Sequence, residues 1–264
     1  MAKYSLLRSL CSLVFLINLV GCDRGREWEL TWSDEFTYTG KPDDAFWGYE
    51  NGYVRNRELQ YYTDNLQNVK VGDGHCTFEA RLETGDSITS ASINTKNKVD
   101  FLYGRIEVRA KIPSAMGSWP AIWLLGTNIS DVGWPDCGEI DIMENVGFDP
   151  DKIHANIHTA SYNHVLGTNK GSYIEVRDPW KDFHVYALEW SEDRMDFFFD
   201  DSLYFSFPND GEGNNDTWPF DKPHYLLINL AYGGTWGGQV GVDTSKLPLI
   251  YEIDYVRYYQ KPDV

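Results

Sequence analysis

Gly104-Arg105-Ile106-Glu107-Val108-Arg109-Ala110-Lys111-Ile112 alternates charged and apolar residues without a break. Read as a β-strand of period two, it sets Arg105, Glu107, Arg109 and Lys111 on one face and Ile106, Val108 and Ala110 on the other. The charged face reads as a solvated sheet surface laced with cross-strand ion pairs, unless it lines a cleft. Working outward, similar short runs recur at residues 76–82, 121–125, 139–144, 152–159, 183–190, 195–199, 225–230 and 250–259. Turn signals fall between them: Gly72-Asp73-Gly74, Asp149-Pro150-Asp151, Asp200-Asp201 and Pro208-Asn209-Asp210-Gly211. From Leu30 onward there is no amphipathic helix longer than about ten residues, no βαβ rhythm, no repeat and no low-complexity linker. The expectation is one all-β domain over residues 30–260, a sandwich or jelly roll.

Composition agrees. Of 264 residues, 42% are hydrophobic and 24% charged, as in ordinary globular chains. Forty acidic against 23 basic residues give a formal net charge of −17. Such a chain lacks the basic footprint of a nucleic-acid binder and is repelled by polyanions. Aromatic residues make up 15%, with Trp 10, Tyr 17 and Phe 13. That excess suits β-strands, and it suits stacking on flat apolar ligand faces such as those of sugars.

The first residues read as a leader. Lys3 and Arg8 precede the apolar run Leu13-Val14-Phe15-Leu16-Ile17-Asn18-Leu19-Val20, too short to span a bilayer comfortably. Leu19-Val20-Gly21-Cys22 resembles a bacterial lipobox, which makes residues 1–21 a lipoprotein signal peptide and Cys22 the lipidation site. Residues 22–29 read as a short polar tether. The expected product is exported and membrane-anchored through Cys22, at the periplasmic or cell-surface side. Cys76 and Cys137 remain; export permits a disulfide between them, but their spacing does not establish one.

The chemistry lies in Trp134-Pro135-Asp136-Cys137-Gly138-Glu139-Ile140-Asp141-Ile142-Met143-Glu144. On a strand, Glu139 and Asp141 share a face and Ile140 and Ile142 take the other. Strict alternation would bury Glu144 on the apolar face, at a high cost for an unpaired charge. One extra residue, a β-bulge near Ile142-Met143, returns Glu144 to the acidic face. Three carboxylates in a row need a reason. A calcium site and a solvent-facing acidic strand are alternatives, although calcium ligands usually come from flexible loops. Retaining glycoside hydrolysis uses two carboxyl groups about 5–5.5 Å apart, one a nucleophile and one an acid/base.

Gly138-Glu139-Ile140-Asp141-Ile142-Met143-Glu144 resembles the bulge-containing active-site motif of glycoside hydrolase family 16. The flanks resemble its laminarinase-like branch: Trp32-Ser33-Asp34-Glu35-Phe36, Glu58-Leu59-Gln60-Tyr61-Tyr62-Thr63, Tyr103-Gly104-Arg105-Ile106-Glu107-Val108-Arg109-Ala110-Lys111, Trp119-Pro120-Ala121-Ile122-Trp123, Phe183-His184-Val185-Tyr186-Ala187-Leu188-Glu189-Trp190, Leu230-Ala231-Tyr232-Gly233-Gly234 and Asp254-Tyr255-Val256-Arg257. The resemblance implies a concanavalin A-like β-jelly roll with a substrate cleft on its concave face. It implies Glu139 as nucleophile, Glu144 as general acid/base and Asp141 assisting between them. For substrate binding it points to Trp119, Trp123 and Trp134, to Glu107 and Arg109, to His158, and to Asn229 and Trp236 at the cleft edge. Asn51 and Arg57 sit on a loop that in laminarinases contributes to the glycone subsites. Here Val54-Arg55-Asn56-Arg57 departs from the Asn-rich version of that loop, which leaves the sugar preference open. A structural calcium is implied at Asp254, with Glu35 and the backbone near Gly74 as further ligands. No catalytic cofactor is implied.

The resemblance implies an endo-acting retaining hydrolase of β-1,3-glucan (laminarin) or mixed-linkage β-1,3/1,4-glucan, and a monomer is expected. Two alternatives stay open. One is a non-catalytic glycan-binding lipoprotein on the same fold. The other is an enzyme for a marine galactan such as agar, porphyran or carrageenan. Sulfated chains call for basic pockets, which Arg55, Arg57, Arg105 and Arg109 could build locally. A retaining intermediate also permits transglycosylation.

Overall fold

A computed structural model describes residues 28–262. The expected leader and Cys22 lie outside the described residues. The strands are β1 Glu29–Asp34, β2 Gly48–Tyr49, β3 Gln60–Tyr62, β4 Val69–Gly72, β5 His75–Leu82, β6 Ile88–Ser90, β7 Ser92–Asn94, β8 Gly104–Lys111 and β9 Ser118–Gly126. The helix α1 Ile129–Val132 precedes β10 Glu139–Glu144, β11 Lys152–His158, β12 Lys170–Glu175, β13 His184–Trp190, β14 Arg194–Phe199, β15 Ser202–Pro208, β16 His224–Tyr232 and β17 Leu249–Gln260.

Two sheets stack as a β-jelly-roll sandwich. One has ten strands along the path β15-β14-β13-β8-β17-β5-β6-β3, with β1 added on β17 and β4 on β5. The other has seven, ordered β12-β11-β10-β9-β16-β7-β2. Their inner faces share one core: Val108, Tyr186, Phe197 and Ile253 from the first sheet meet Ile122, Leu124, Ile140, Ile157 and Ile228 from the second. Each such side chain contributes about 1.5–3 kcal/mol by leaving water. Strands β9 and β16 are buried along their whole length. Their inner residues enter the core, while Trp119, Ala121, Trp123, Leu125, Tyr225 and Asn229 face outward into a cleft.

The charged face of β8 lies on the outside of the ten-stranded sheet, away from that cleft. Arg105 pairs with Glu107 at 2.7 Å and with Glu189 at 2.8 Å, and Arg109 pairs with Asp254. Glu107 and Arg109 are therefore corrected from substrate-binding residues to members of an outer ion-pair lattice, Glu107 paired along β8 and Arg109 across to β17. The sequence resemblance could not separate the two roles, because both need a polar strand face.

The three residues expected to hold calcium are not brought together as a side-chain cluster. Arg257 takes the Glu35 carboxylate with two hydrogen bonds of 2.9 Å, and Asp254 faces Arg109. Among the described residues, the only His/Cys/Asp/Glu group with metal-ligand spacing is Glu139, Asp141 and His158. Cys76 lies in the main core and Cys137 in a separate apolar cluster; both are free buried thiols.

Candidate active site

Strand β10 begins at a left-handed Gly138 with φ of +80°. A Cβ there would come within 2.9 Å of Pro219 and Phe220, so only glycine fits this entry to the strand. From it, Glu139 pairs in register with Leu125 of β9 and His158 of β11, and Asp141 with Trp123 and Asn156. The expected bulge follows. Three steps from Asp141 to Glu144 oppose two steps from Asn156 to His154 on β11. Ile142 and Met143 both enter the core, and Glu144 returns to the cleft face beside Glu139 and Asp141.

Each outer carboxylate accepts an indole N–H. Trp134 Nε1 donates to Glu139 at 3.0 Å, and Trp119 Nε1 donates to Glu144 at 2.9 Å. Asn156 Nδ2 adds a longer bond of 3.4 Å to Glu144. His158 Nε2 lies 3.2 Å from Asp141 Oδ2 and 3.7 Å from Glu139 Oε1. Among the described residues Glu144 has no ion-pair partner within 4 Å and hydrogen-bonds only neutral donors, whereas Glu139 has the His158 imidazole directly beside it.

Burial raises the pKa of all three carboxyl groups. For Glu139 and Glu144, the neighbouring Asp141 charge raises it further. On Glu139 the His158 imidazole and the Trp134 N–H pull the other way, and on Glu144 the Trp119 N–H does so first, then the His158 imidazole and the Asn156 amide. The cluster therefore retains protons near neutrality. That is the condition for a carboxylic acid to serve as a proton donor there.

The cleft above has a volume of about 430 Å³ and combines these acids with Trp119, Trp123, Trp134, Tyr225 and Asn229. Trp119 and Trp123 share the cleft face, as their spacing predicts. Trp123 is fixed by its N–H to Asn229 Oδ1 at 2.7 Å, and Asn229 in turn donates to Tyr62 at 3.1 Å. Trp236 stands edge-on behind Trp119, ring centroids 5.6 Å apart, and does not line the main cleft.

The 51–57 loop differs from expectation. Asn51 is exposed and does not line the cleft; Arg57 borders a separate shallow pocket with Leu59 and Gly233. The cleft residues of this loop and its flanks are Glu50, Val54, Arg55, Asn56 and Glu58 instead. Arg55 lies over the Trp123 ring, 4.9 Å from its centroid, and pairs with Glu50. The four arginines that could have formed a basic pocket are thus dispersed, and the one in the cleft is already neutralised. Sequence reading also missed His164, which lines the cleft from the loop after β11. A lone histidine in a polar loop carries no periodic signal, and only the fold brings it to the site.

Paired acids on one strand, set among indoles in an open cleft on a β-sandwich, define a glycoside hydrolase. The comparisons specify which. Residues 47–257 match the model of glycosyl hydrolases family 16. A β-glucanase of Rhodothermus marinus is 47% identical, the match covering 93% of each chain. The X-ray structure of the laminarinase from Rhodothermus marinus superposes with a TM-score of 0.87 at 48% identity, covering 91% of this chain and 100% of that one. A point mutant of SCLam, a non-specific endo-β-1,3(4)-glucanase, co-crystallised with 1,3-β-D-cellotriosyl-glucose, gives a TM-score of 0.85 at 45% identity, over 89% of this chain and 95% of its own. The chain belongs to glycoside hydrolase family 16, in the laminarinase-like branch.

Proposed function

We propose that the protein is an endo-acting retaining β-glucanase that cleaves β-1,3-glucan or mixed-linkage β-1,3/1,4-glucan. The observation that carries this is the bulge after Asp141, which puts Glu139 and Glu144 on one cleft face with different partners. Glu139 attacks the anomeric carbon as the carboxylate. Glu144 gives its proton to the departing glycosidic oxygen, and the C–O bond breaks. Glu144, now ionised, takes a proton from water, whose oxygen attacks the same carbon and releases Glu139. Two inversions retain the configuration. His158 Nε2 lies 3.2 Å from Asp141 Oδ2 and 3.7 Å from Glu139 Oε1, and its imidazole favours the ionised Glu139.

The relatives named above are β-glucanases, and the neutralised Arg55 offers sulfated galactans no charged pocket. The presence of all three acids disfavours a purely glycan-binding role. Laminarin, mixed-linkage glucan, agarose and carrageenan, each followed by product sizing, test the substrate class. Glu139→Ser tests the mechanism, and undiminished glucan cleavage by that variant would falsify it.

The lipobox-like Leu19-Val20-Gly21-Cys22 supports export and anchoring at Cys22. Partition of the Cys22→Ala variant into the soluble fraction, against a membrane-bound parent, tests this. A monomer is proposed, to be checked by light scattering. A structural calcium would rest on Asp254, whose carboxylate would exchange Arg109 for the ion, and on backbone carbonyls near Glu35 and Gly74, since Arg257 holds the Glu35 carboxylate. A Tm raised by calcium and lowered by EDTA supports that reading; identical Tm values overturn it.

A further inference from the structure

His164 sits on the loop joining β11 to β12, between His158 and Lys170. The loop is built around the preceding residue. Asn163 is 3% exposed; its Nδ2 donates to the carbonyls of Thr159 (3.1 Å) and Ala160 (3.2 Å), and its Oδ1 accepts from Leu166 N–H at 3.0 Å. The base of the loop is tied across to Asp216, whose carbonyl accepts from Thr159 Oγ1 at 2.7 Å. A loop so pinned presents His164 in a fixed direction.

That direction is the cleft. The His164 ring lies 5.1 Å from the Trp134 ring and 5.2 Å, edge-on, from His158. These are the groups that contact Glu139. Among the described residues its ring nitrogens make no hydrogen bond, and the residue is exposed and lines the cleft. Beside it, Val165 and Leu166 are 71% and 63% exposed, an apolar loop tip left open among the described residues. The position in the sheet gives the side. The loop bearing Glu50, Arg55 and Glu58 runs from the β2 edge of the seven-stranded sheet, and the His164 loop caps the β11–β12 edge. The two loops therefore bound opposite ends of the cleft, and the family resemblance that gives the 51–57 loop to the glycone subsites leaves the aglycone end to the His164 loop.

Resting on the β-glucanase reading, we infer that His164 is a substrate-contacting residue of the aglycone side. Its imidazole hydrogen-bonds a hydroxyl of the neutral sugar beyond the scissile bond, and Val165 and Leu166 meet that sugar's apolar face. Such a site would also hold an incoming sugar acceptor in the second half of the reaction.

The test compares wild type, His164→Ala and His164→Gln on laminarin, with laminaribiose added as acceptor, and checks Tm for each. His164→Ala is expected to raise KM about fivefold, the size of one lost neutral hydrogen bond, with a smaller change in kcat. The share of transglycosylation product should fall by a similar factor, and His164→Gln should restore part of both. A fall in kcat with KM and acceptor capture unchanged would show that His164 only props Trp134 and His158, and would overturn the inference. So would no change in any of the three. A wild type inert on every glucan overturns the β-glucanase reading itself, a distinguishable result.

Discussion

Trp119 Nε1 donates to Glu144 Oε1 at 2.9 Å, from the neighbouring strand and against the returned side of the bulge. The bond favours the ionised form of an acid that burial pushes toward the protonated form. Trp119→Phe keeps the ring and removes the donor. The Glu144 pKa should then rise by about one unit, the size of a hydrogen bond to a charged group. Glu144 acts protonated, so the alkaline limb of the kcat/KM pH profile should move to higher pH. A limb that stays in place, or moves down, would show that the indole does not tune this acid.

Stability should fall with rising pH because of the same cluster. Burial raises the interacting cluster of Glu139, Asp141 and Glu144 toward about 8 as a group; its members share the retained protons, and Glu139, beside His158, is the one that ionises for catalysis. Between the ordinary carboxylate range and that value, the folded chain holds protons that the unfolded chain has released. Stability therefore declines as pH rises through this window. Asp141→Asn removes one such proton and the charge that raises its neighbours, so its Tm should decline less steeply from pH 5 to 8. Calorimetry on both proteins over that range decides; parallel slopes would count against the assignment.

The bulge invites a deletion. Without Met143, two steps from Asp141 to Glu144 would oppose the two from Asn156 to His154, and strict alternation would still put Glu144 on the cleft face. The cost is the buried Met143 side chain, about 2–5 kcal/mol by analogy with large-to-small core changes. The deletion variant should fold less stably yet retain measurable glucan cleavage. A stable but wholly inactive variant would show that the bulge also sets the separation of the acids.

Gly138→Ala tests the entry to β10. Its φ of +80° and the 2.9 Å approach to Pro219 and Phe220 should cost about 1–3 kcal/mol. Denaturant unfolding should show a lower midpoint at unchanged slope. An unchanged midpoint would mean that the turn relaxes without strain.

The class of the fold and the catalytic strand were legible in the chain because both are local. Alternation in β8 and the acidic–apolar pattern of β10 depend only on neighbouring residues, and β10 spans Glu139–Glu144 as read. The need to keep Glu144 out of the core locates the bulge from the sequence alone. The strands that escaped reading are short or lie at sheet edges. Edge strand β12 is exposed or half-buried along its length and shows no apolar face.

What the sequence by itself determined, then, was an all-β chain with three acids on one pleat and tryptophans near them. Only the tertiary structure decided which polar face borders the cleft, because alternation assigns residues to faces but not faces to surroundings. It put Glu107 and Arg109 into an outer ion-pair lattice. It brought Arg55 over Trp123 and set His164 against Trp134 and His158. Those pairings join residues from different strands and loops, and the stacking of two sheets, not any local pattern, brings them into contact.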